Sequence, residues 1–373
     1  MLPPKLPNSS PDHSKPFNAE HTLLFSAPLR LATELAAKAF THRLFSLPTL
    51  FRIIPSPHFA YIDIIKHNPT IVKHFFLIKY PLLKAEGNAI MFRVIYMYVC
   101  PICKKRLRKL DNVWHCQNGH SFDIARKGYV NLLTTKGRNP KNAGDNAEMV
   151  KARTDFLDRD YYLPLAKKTA EVMGGLLENV KQPYIIDSGC GEGFYTVNYA
   201  KALPKAKFYG IDISKAAVAH CMTRIHCENI TNCEFAVASS FQLPFIDKFA
   251  DLIVCTFAPV SNDEYARVLK DGGKLVVVSP SPRHLFELKE VLYEKPYENK
   301  PNVYGLNKFD ESEEIIFEYP VVLESQEDIF NLFTMTPYYY KTSAEAVEKL
   351  KKVNRLELTC GFSIRTFTKK RGF

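Results

Sequence analysis

From residue 184 onward, short apolar runs recur at regular intervals between stretches of mixed helical character. YIIDSGCGEGF, FYGIDIS, CEFAVASS, ADLIVCTFAP and GGKLVVVSP each hold about four to eight β-favouring residues ending in turn-forming ones, which predicts a strand and its exit. Strands alternating with helices imply an α/β fold, a mostly parallel sheet wrapped by helices with ligands at the strands' carboxyl ends. A helix is predicted from about Phe194 to Leu203, directly after the first exit. The chain upstream reads differently. Residues 1–96 hold eleven of the 24 prolines and six of the eleven histidines, and apolar runs such as FFLIKYPLL are cut by proline before any period develops. They predict a poorly structured N-terminal extension. Met91 and Met97 both precede the first cysteine closely, and translation is expected to begin at one of them; the alternative is a targeting or partner-binding tail.

Composition, with 46% apolar and 24% charged residues, is that of a globular protein. No apolar run reaches the about eighteen residues of a membrane-spanning helix, so a soluble protein with no membrane partner is expected. Nine cysteines are an odd count and are scattered outside one cluster, unlike a secreted disulfide framework. The opening MLPPKLPNSSPDHSKP lacks the plan of a secretory signal, and a reducing cytoplasm is the expected location. Charge divides the chain further. Residues 1–96 carry a net +6 and residues 97–143 a net +8, from ten basic and two acidic side chains, whereas the remainder carries −3. The expected organisation is an extension over 1–96, a small basic module over 97–143 and a larger domain over 144–373.

The basic module contains Cys100 and Cys103 as a C-x2-C knuckle, with Cys116 and His120 as C-x3-H after twelve intervening residues. Thiolates and imidazole suit Zn²⁺, and a closed Cys3His set leaves no open coordination position, which makes a structural rather than a catalytic metal. Buried unmetallated cysteines or a C-x-x-C redox pair are the competing readings; the second pair of ligands at workable spacing favours zinc. Trp114 offers the module an apolar anchor. Lys104, Lys105, Arg106, Arg108 and Lys109 lie beside the knuckle, with Arg126, Lys127, Lys136, Arg138 and Lys141 further on. Such a concentration beside a metal clip fits phosphate, and nucleic acid is the expected partner.

The first strand exit, D-S-G-C-G-E-G, places Asp187, Gly189, Gly191 and Gly193 in one loop before a helix. Glycines let the backbone approach a ligand closely, and the G-x-G-x-G spacing departs from the dinucleotide fingerprint. Nineteen residues on, Asp212 ends the second predicted strand, where a carboxylate can accept from ribose hydroxyls. This combination resembles the class I S-adenosylmethionine methyltransferases, a Rossmann-like fold with a mostly parallel seven-stranded sheet. The resemblance implies that the three glycines line the amino-acid and ribose portions of the cofactor, and that Ser239 or Ser240 contacts the base.

The fourth exit, Phe257-Ala258-Pro259-Val260, lacks the acid-or-amide, Pro-Pro, aromatic pattern of base-amine methylation. Cys255 and Cys190 read as packing residues rather than nucleophiles. The order CPIC, C-x3-H, FDIARKGYVNLL, GD-x-AEM, FLDRDYY-x-PL, DSGCGEGFYT, GIDISK-x-A, ASSFQLPF, FAP, GG-x-L, PRHLFELK and MTP resembles the large-subunit rRNA guanine-N1 methyltransferases over about residues 97–373. The resemblance implies S-adenosylmethionine-dependent methylation of guanine N1 in a hairpin loop of 23S rRNA by a homodimer, with RNA held between the zinc module and the methyltransferase domain. It assigns zinc to Cys100, Cys103, Cys116 and His120, and cofactor contacts to Tyr162, the Gly191-Glu192 region and His284. Phe257 and Tyr338, Tyr339 and Tyr340 are candidates for stacking bases, with core packing as the competing reading. Asp263 and Glu264 read as helix-start acids, and no general base is identified. A zinc-containing RNA-binding protein without catalysis, or a small-molecule methyltransferase, is the alternative function.

Overall fold

A computed structural model describes residues 50–55, 60–65, 89–91, 97–134 and 147–372. Two compact units are formed by Met1–Val94 and Ile95–Phe373. In the first, β1 (Leu50–Pro55), β2 (Ala60–Ile65) and β3 (Ala89–Met91) make an antiparallel sheet in the order β1-β2-β3, with Leu50 opposite Ile65 and Ile62 opposite Ile90. These isoleucine-containing runs lie between prolines and are too short for a period to stand out in the sequence. The rest of the expected extension lies outside the described residues.

The second unit begins with a small antiparallel sheet of β4 (Leu107–Leu110), β5 (Val113–Cys116) and β6 (Ser121–Asp123). A second sheet contains β7 (Val130–Asn131), β8 (Tyr184–Ser188), β9 (Lys207–Asp212), β10 (Cys233–Val237), β11 (Ala250–Thr256), β12 (Leu269–Pro280), β13 (Phe309–Leu323) and β14 (Leu356–Lys369). Its order is β13-β14-β12-β11-β8-β9-β10-β7. Neighbours from β7 to β12 run parallel, and β14 runs antiparallel to both β12 and β13. The five strand exits read from the sequence are the exits of β8 to β12. The strand order reverses between β8 and β11, the switch point at which open α/β sheets bind ligands.

Strands β8 to β11 are buried along almost their whole length, as expected where helices cover both faces. The helix Leu163–Leu176 and the helix Phe194–Ala202 place Leu165, Met173, Phe194 and Tyr199 in the core on one side, with Phe362 of β14. Ser214 caps the next helix, Lys215–Cys227, by accepting from Ala217 N at 3.3 Å. The opposite face is covered by Tyr98, Leu107, Trp114, Phe245 and Tyr265.

That second core ties the described start of this unit, residues 97–134, to the larger sheet: Trp114 packs edge-on to Tyr98 at 5.1 Å, and Tyr98 meets Phe245 at 5.3 Å. Val130 and Asn131 then pair with Ala236 and Val237, so β7 adds an eighth strand to the expected seven. A module with so little core of its own gains stability by burying aromatics against the larger domain, at roughly 1.5–3 kcal/mol per large side chain. Among the described residues no helix is long and apolar enough to cross a membrane.

Candidate active site and metal centre

The knuckle is built by backbone bonds before any metal is considered. Lys104 N donates to Cys100 O at 2.8 Å and Cys100 N to Lys105 O at 2.8 Å, with Lys104 turned to φ +61°. On the other side, Gly119 takes φ +80° and donates to Cys116 O at 3.1 Å, while Cys116 N donates to His120 O at 3.0 Å. These two turns bring one donor atom each from Cys100, Cys103, Cys116 and His120 within 4.8 Å of one another. Cys103 Sγ lies 3.6 Å from Cys116 Sγ, and His120 Nδ1 lies 3.3 Å from Cys116 Sγ and 3.6 Å from Cys100 Sγ. Bonds of about 2.0–2.3 Å to a tetrahedral Zn²⁺ put ligand atoms at such separations. The donor set fits zinc and is closed.

Lys104, Lys105, Arg106 and Lys109 are exposed beside the knuckle, and Arg108 is half-buried. Among the described residues the first four have no acidic partner, so their charge faces solvent undiminished. Lys136, Arg138 and Lys141 lie outside the described residues. Lys127 is turned to the larger domain, donating to Ala219 O and Thr223 Oγ1 at 3.3 Å.

The second constellation lies at the carboxyl ends of β8 and β9. Gly189, Gly191 and Gly193 all have positive φ, and Gly193 is the left-handed cap of the helix Phe194–Ala202. At Gly189 a Cβ would stand 2.4 Å from the Ala258 Cβ, and at Gly193 about 3.0 Å from Cys221 Sγ. At Gly191 the nearest atom to a built Cβ is Arg153 Nη1 at 3.9 Å, so this glycine borders open space. The outer two glycines thus seat the loop against its neighbours, and the middle one leaves room for a ligand.

Asp212 holds the loop in place. Gly191 N donates to its Oδ2 at 3.0 Å and Ser214 N to its Oδ1 at 2.7 Å. Asp187 is buried under the loop, where Thr196 Oγ1 donates to its Oδ2 at 2.6 Å and its Oδ1 has no partner among the described residues. Burial raises its pKa to about 7, against the opposing hydrogen bond from Thr196. An orphaned buried carboxylate oxygen beside an open glycine loop fits a ligand carrying ammonium and sulfonium groups, as S-adenosylmethionine does.

Glu192 is turned away from the open side. Its Oε2 accepts from Phe194 N at 3.1 Å and its Oε1 lies 3.6 Å from Arg224 Nη2, whose other arm donates to Asp158 Oδ1 at 2.8 Å. Burial raises the Glu192 pKa despite the Arg224 charge. Its side chain braces the loop from behind. Ser239 is buried and accepts from Phe241 N at 3.2 Å, while Ser240 accepts from Ser188, which accepts from the Tyr265 hydroxyl at 2.8 Å.

Tyr162 and His284 are 122 residues apart in sequence, yet the Tyr162 hydroxyl lies 3.5 Å from His284 Nε2. Both are buried, and both rings pack on Phe362, at 5.2 Å and 4.8 Å between centroids. Desolvation lowers the His284 pKa to about 3 and raises that of Tyr162 well above its ordinary value, so the pair is neutral near pH 7. Phe362 continues to Phe257 at 5.8 Å, and Phe257 to Tyr195 at 6.0 Å in the first turn after the glycines. This aromatic row links the pair to the loop.

Cys255 is buried in β11 with its pKa raised to about 12 by desolvation, and Cys190 is likewise raised well above the thiol range; neither is poised as a thiolate. Glu264 accepts from Leu243 N and Arg267, and Asp263 pairs with Lys308 at 2.9 Å, so both are structural. Thr196 and Arg224 were not singled out from the sequence. Thr196 had a usable signal, a hydroxyl in the first turn of a helix nine residues after an acid. Phe362 had none, since only the antiparallel return of β14 brings it near.

Two family models match this chain: one described as methyltransferase domain over residues 180–348, and one described as RlmA, N-terminal, a zinc ribbon, over residues 98–141. A candidate 23S rRNA (guanine-N1)-methyltransferase of Micromonospora griseorubida is 36% identical over 210 residues, covering 52% of this chain and 68% of that protein. The chain belongs to the 23S rRNA (guanine-N1)-methyltransferase family. The 23S rRNA (guanine(748)-N(1))-methyltransferase of Streptomyces fradiae is 36% identical over 52% of this chain and 66% of its own. A candidate family member of Bacillus subtilis is 28% identical over 72% of this chain and 95% of its own. The fold is that of the class I S-adenosylmethionine-dependent methyltransferases, carrying a zinc ribbon at the start of its second unit.

Proposed function

We propose that this protein methylates N1 of a guanine in a hairpin loop of 23S rRNA, acting as a homodimer in the cytoplasm. The observation that carries this reading is the joining, in one compact unit, of a Cys3His cluster flanked by exposed cations to a glycine loop with its strand-ending acid. Family membership supplies the acceptor: relatives at 36% identity are named for guanine-N1 methylation of 23S rRNA.

S-adenosylmethionine, when bound, supplies an activated methyl group on sulfur. The protein's own task is positioning and exclusion of water. Gly189, Gly191 and Gly193 shape the loop, Asp212 accepts from ribose hydroxyls, and Asp187 sits beneath as a buried carboxyl. Ser239 borders the base, and Glu192 holds the loop from behind. Tyr162 and His284 close the amino-acid end as a neutral pair, offering hydrogen bonds without competing charge. Cys100, Cys103, Cys116 and His120 hold zinc as a structural ion. Lys104, Lys105, Arg106, Arg108 and Lys109 bind RNA phosphates, so residues 97–143 act as the recognition module for the methyltransferase domain over 144–373, with 1–96 as an extension. Guanine N1 is protonated near pH 7, so its proton must pass to water as the methyl group leaves sulfur for N1, and its Watson–Crick edge must leave any pairing before it can enter the site.

Primer extension on a 23S rRNA hairpin transcript tests this reading. N1 methylation blocks Watson–Crick pairing, so incubation with protein and S-adenosylmethionine is expected to create a strong reverse-transcription stop beside one loop guanine. A transcript read through equally with and without the cofactor rejects the proposal.

A further inference from the structure

The exit of β11 carries an aromatic residue in a backbone conformation that aromatics avoid. Phe257 has φ +55°, the left-handed region in which a bulky residue is an outlier. The turn is held from several sides. Phe257 N donates to Val278 O at 3.0 Å, Cys255 Sγ donates to Ala258 O at 3.2 Å, and Ala258 sits so close to Gly189 that a Cβ there would collide with it. The turn therefore presses Ala258 onto the glycine loop. It also leaves the Phe257 ring 42% exposed at the switch point.

Neither packing nor turn formation accounts for a phenylalanine here. A side chain kept for packing would be buried like its neighbours Cys255 and Thr256, and a left-handed turn is made at lower cost by glycine or asparagine. The ring instead continues the row formed by Tyr195, Phe362, His284 and Tyr162, and is its exposed member. The other candidate aromatics make no ring contact with this row among the described residues, although Tyr340 is itself 66% exposed. The Tyr338 hydroxyl donates to Asn299 at 3.3 Å, Tyr339 packs on Phe333 at 5.6 Å, and the Tyr340 hydroxyl meets Met149 at 2.8 Å.

Resting on the function proposed above, we infer that Phe257 is the surface on which the acceptor purine stacks, with the base edge directed toward the glycine loop. A π face next to the loop orients an unpaired base without reading its hydrogen-bond pattern. The held left-handed turn fixes that face relative to Gly189 before RNA arrives.

Two substitutions in the full chain separate stacking from turn geometry. F257N keeps a residue tolerant of positive φ but removes the ring; F257W keeps a ring. With a hairpin transcript, F257N is expected to lower kcat/KM for RNA by about 5- to 150-fold, the loss of one base–aromatic stack. Its affinity for S-adenosylmethionine by calorimetry should stay within about twofold, and F257W should keep kcat/KM within about threefold of wild type. F257N with wild-type kinetics overturns the stacking role. So does an equal loss in both variants accompanied by weakened cofactor binding, which marks Phe257 as a packing residue. An inactive wild type rejects the proposed function and the stacking with it, whereas an active wild type beside an unimpaired F257N rejects the stacking alone.

Discussion

The zinc ribbon and the glycine loop both hold a few atoms in fixed relation, and they do so by opposite means. In the ribbon the fixed atoms are side-chain donors: three thiols and one imidazole within 4.8 Å, on a segment with few buried residues of its own. In the loop the fixed atoms belong to the backbone, and its shape depends on side chains that are not there, with Ala258 and Cys221 occupying the space a Cβ would need. A ribbon of this kind can be undone by taking away an ion. The loop can be undone only by adding matter. The two regions should therefore fail differently.

The largest effect is expected at Gly189. Alanine there combines a left-handed φ of +84° with a 2.4 Å collision against Ala258, and strain of about 1–2 kcal/mol with overpacking of about 1–3 kcal/mol falls on the loop itself. Titration calorimetry should show S-adenosylmethionine affinity reduced by about 100-fold or more. Gly191→Ala is the contrast: it meets the φ penalty but no atom closer than 3.9 Å, so about tenfold is expected from the backbone alone. Equal losses at both positions would show that conformation, rather than the seat on Ala258, sets the loop.

Next comes removal of the ribbon's ion. Cys116→Ser should abolish stoichiometric zinc, measured by atomic emission on the purified protein. Because Tyr98 and Trp114 share a core with Phe245, and β7 pairs with β10, the loss should not be confined to the ribbon. A single calorimetric transition lowered by about 5–10 °C is expected, the consequence of a few kcal/mol removed from a unit of this size. Two separated transitions, with the upper one unmoved, would show that the ribbon unfolds alone and that the shared aromatics contribute little.

The same contrast explains what the sequence made legible. The ribbon's ligands are readable because metal chemistry restricts both residue type and spacing, and the glycine loop is readable because positive φ and close approach restrict residue type again. The five strand exits follow from apolar runs that both faces of a parallel sheet demand. Other features carry no such restriction. Nothing local marks Phe362 as the ring between His284 and Tyr162, because the contact depends on β14 returning antiparallel beside β12. Glu192 is adjacent to Gly191 in sequence, yet its carboxylate faces Arg224; position in a motif does not settle which way a side chain turns. The shared core of ribbon and domain was hidden for a related reason. Trp114 reads as an anchor, but a sequence does not say whose core it anchors.

The effect that is smallest at each step, at most about 1.4 kcal/mol per pH unit, sharpens the comparison from the loop's side, through Asp187. Its pKa of about 7 in the folded protein lies above the ordinary carboxyl value of 3.8 because burial penalises the charged form. Between those values the folded state keeps a proton that the unfolded chain has lost. Stability contributed by this group is therefore present at low pH and declines as pH rises from about 4 to 7, by at most about 1.4 kcal/mol per unit. His284 acts in the other direction: its folded pKa of about 3 against an ordinary 6.5 means that stability is lost as pH falls through that window. The two slopes partly cancel in the wild type, so the informative quantity is the difference between wild type and Asp187→Asn. Urea unfolding at a series of pH values from 4.5 to about 7.5 should show the variant gaining on the wild type as pH rises and levelling above 7, since it lacks the ionising group. Parallel curves would mean that Asp187 is as well solvated as a surface acid, and that the orphaned oxygen beneath the loop reaches water.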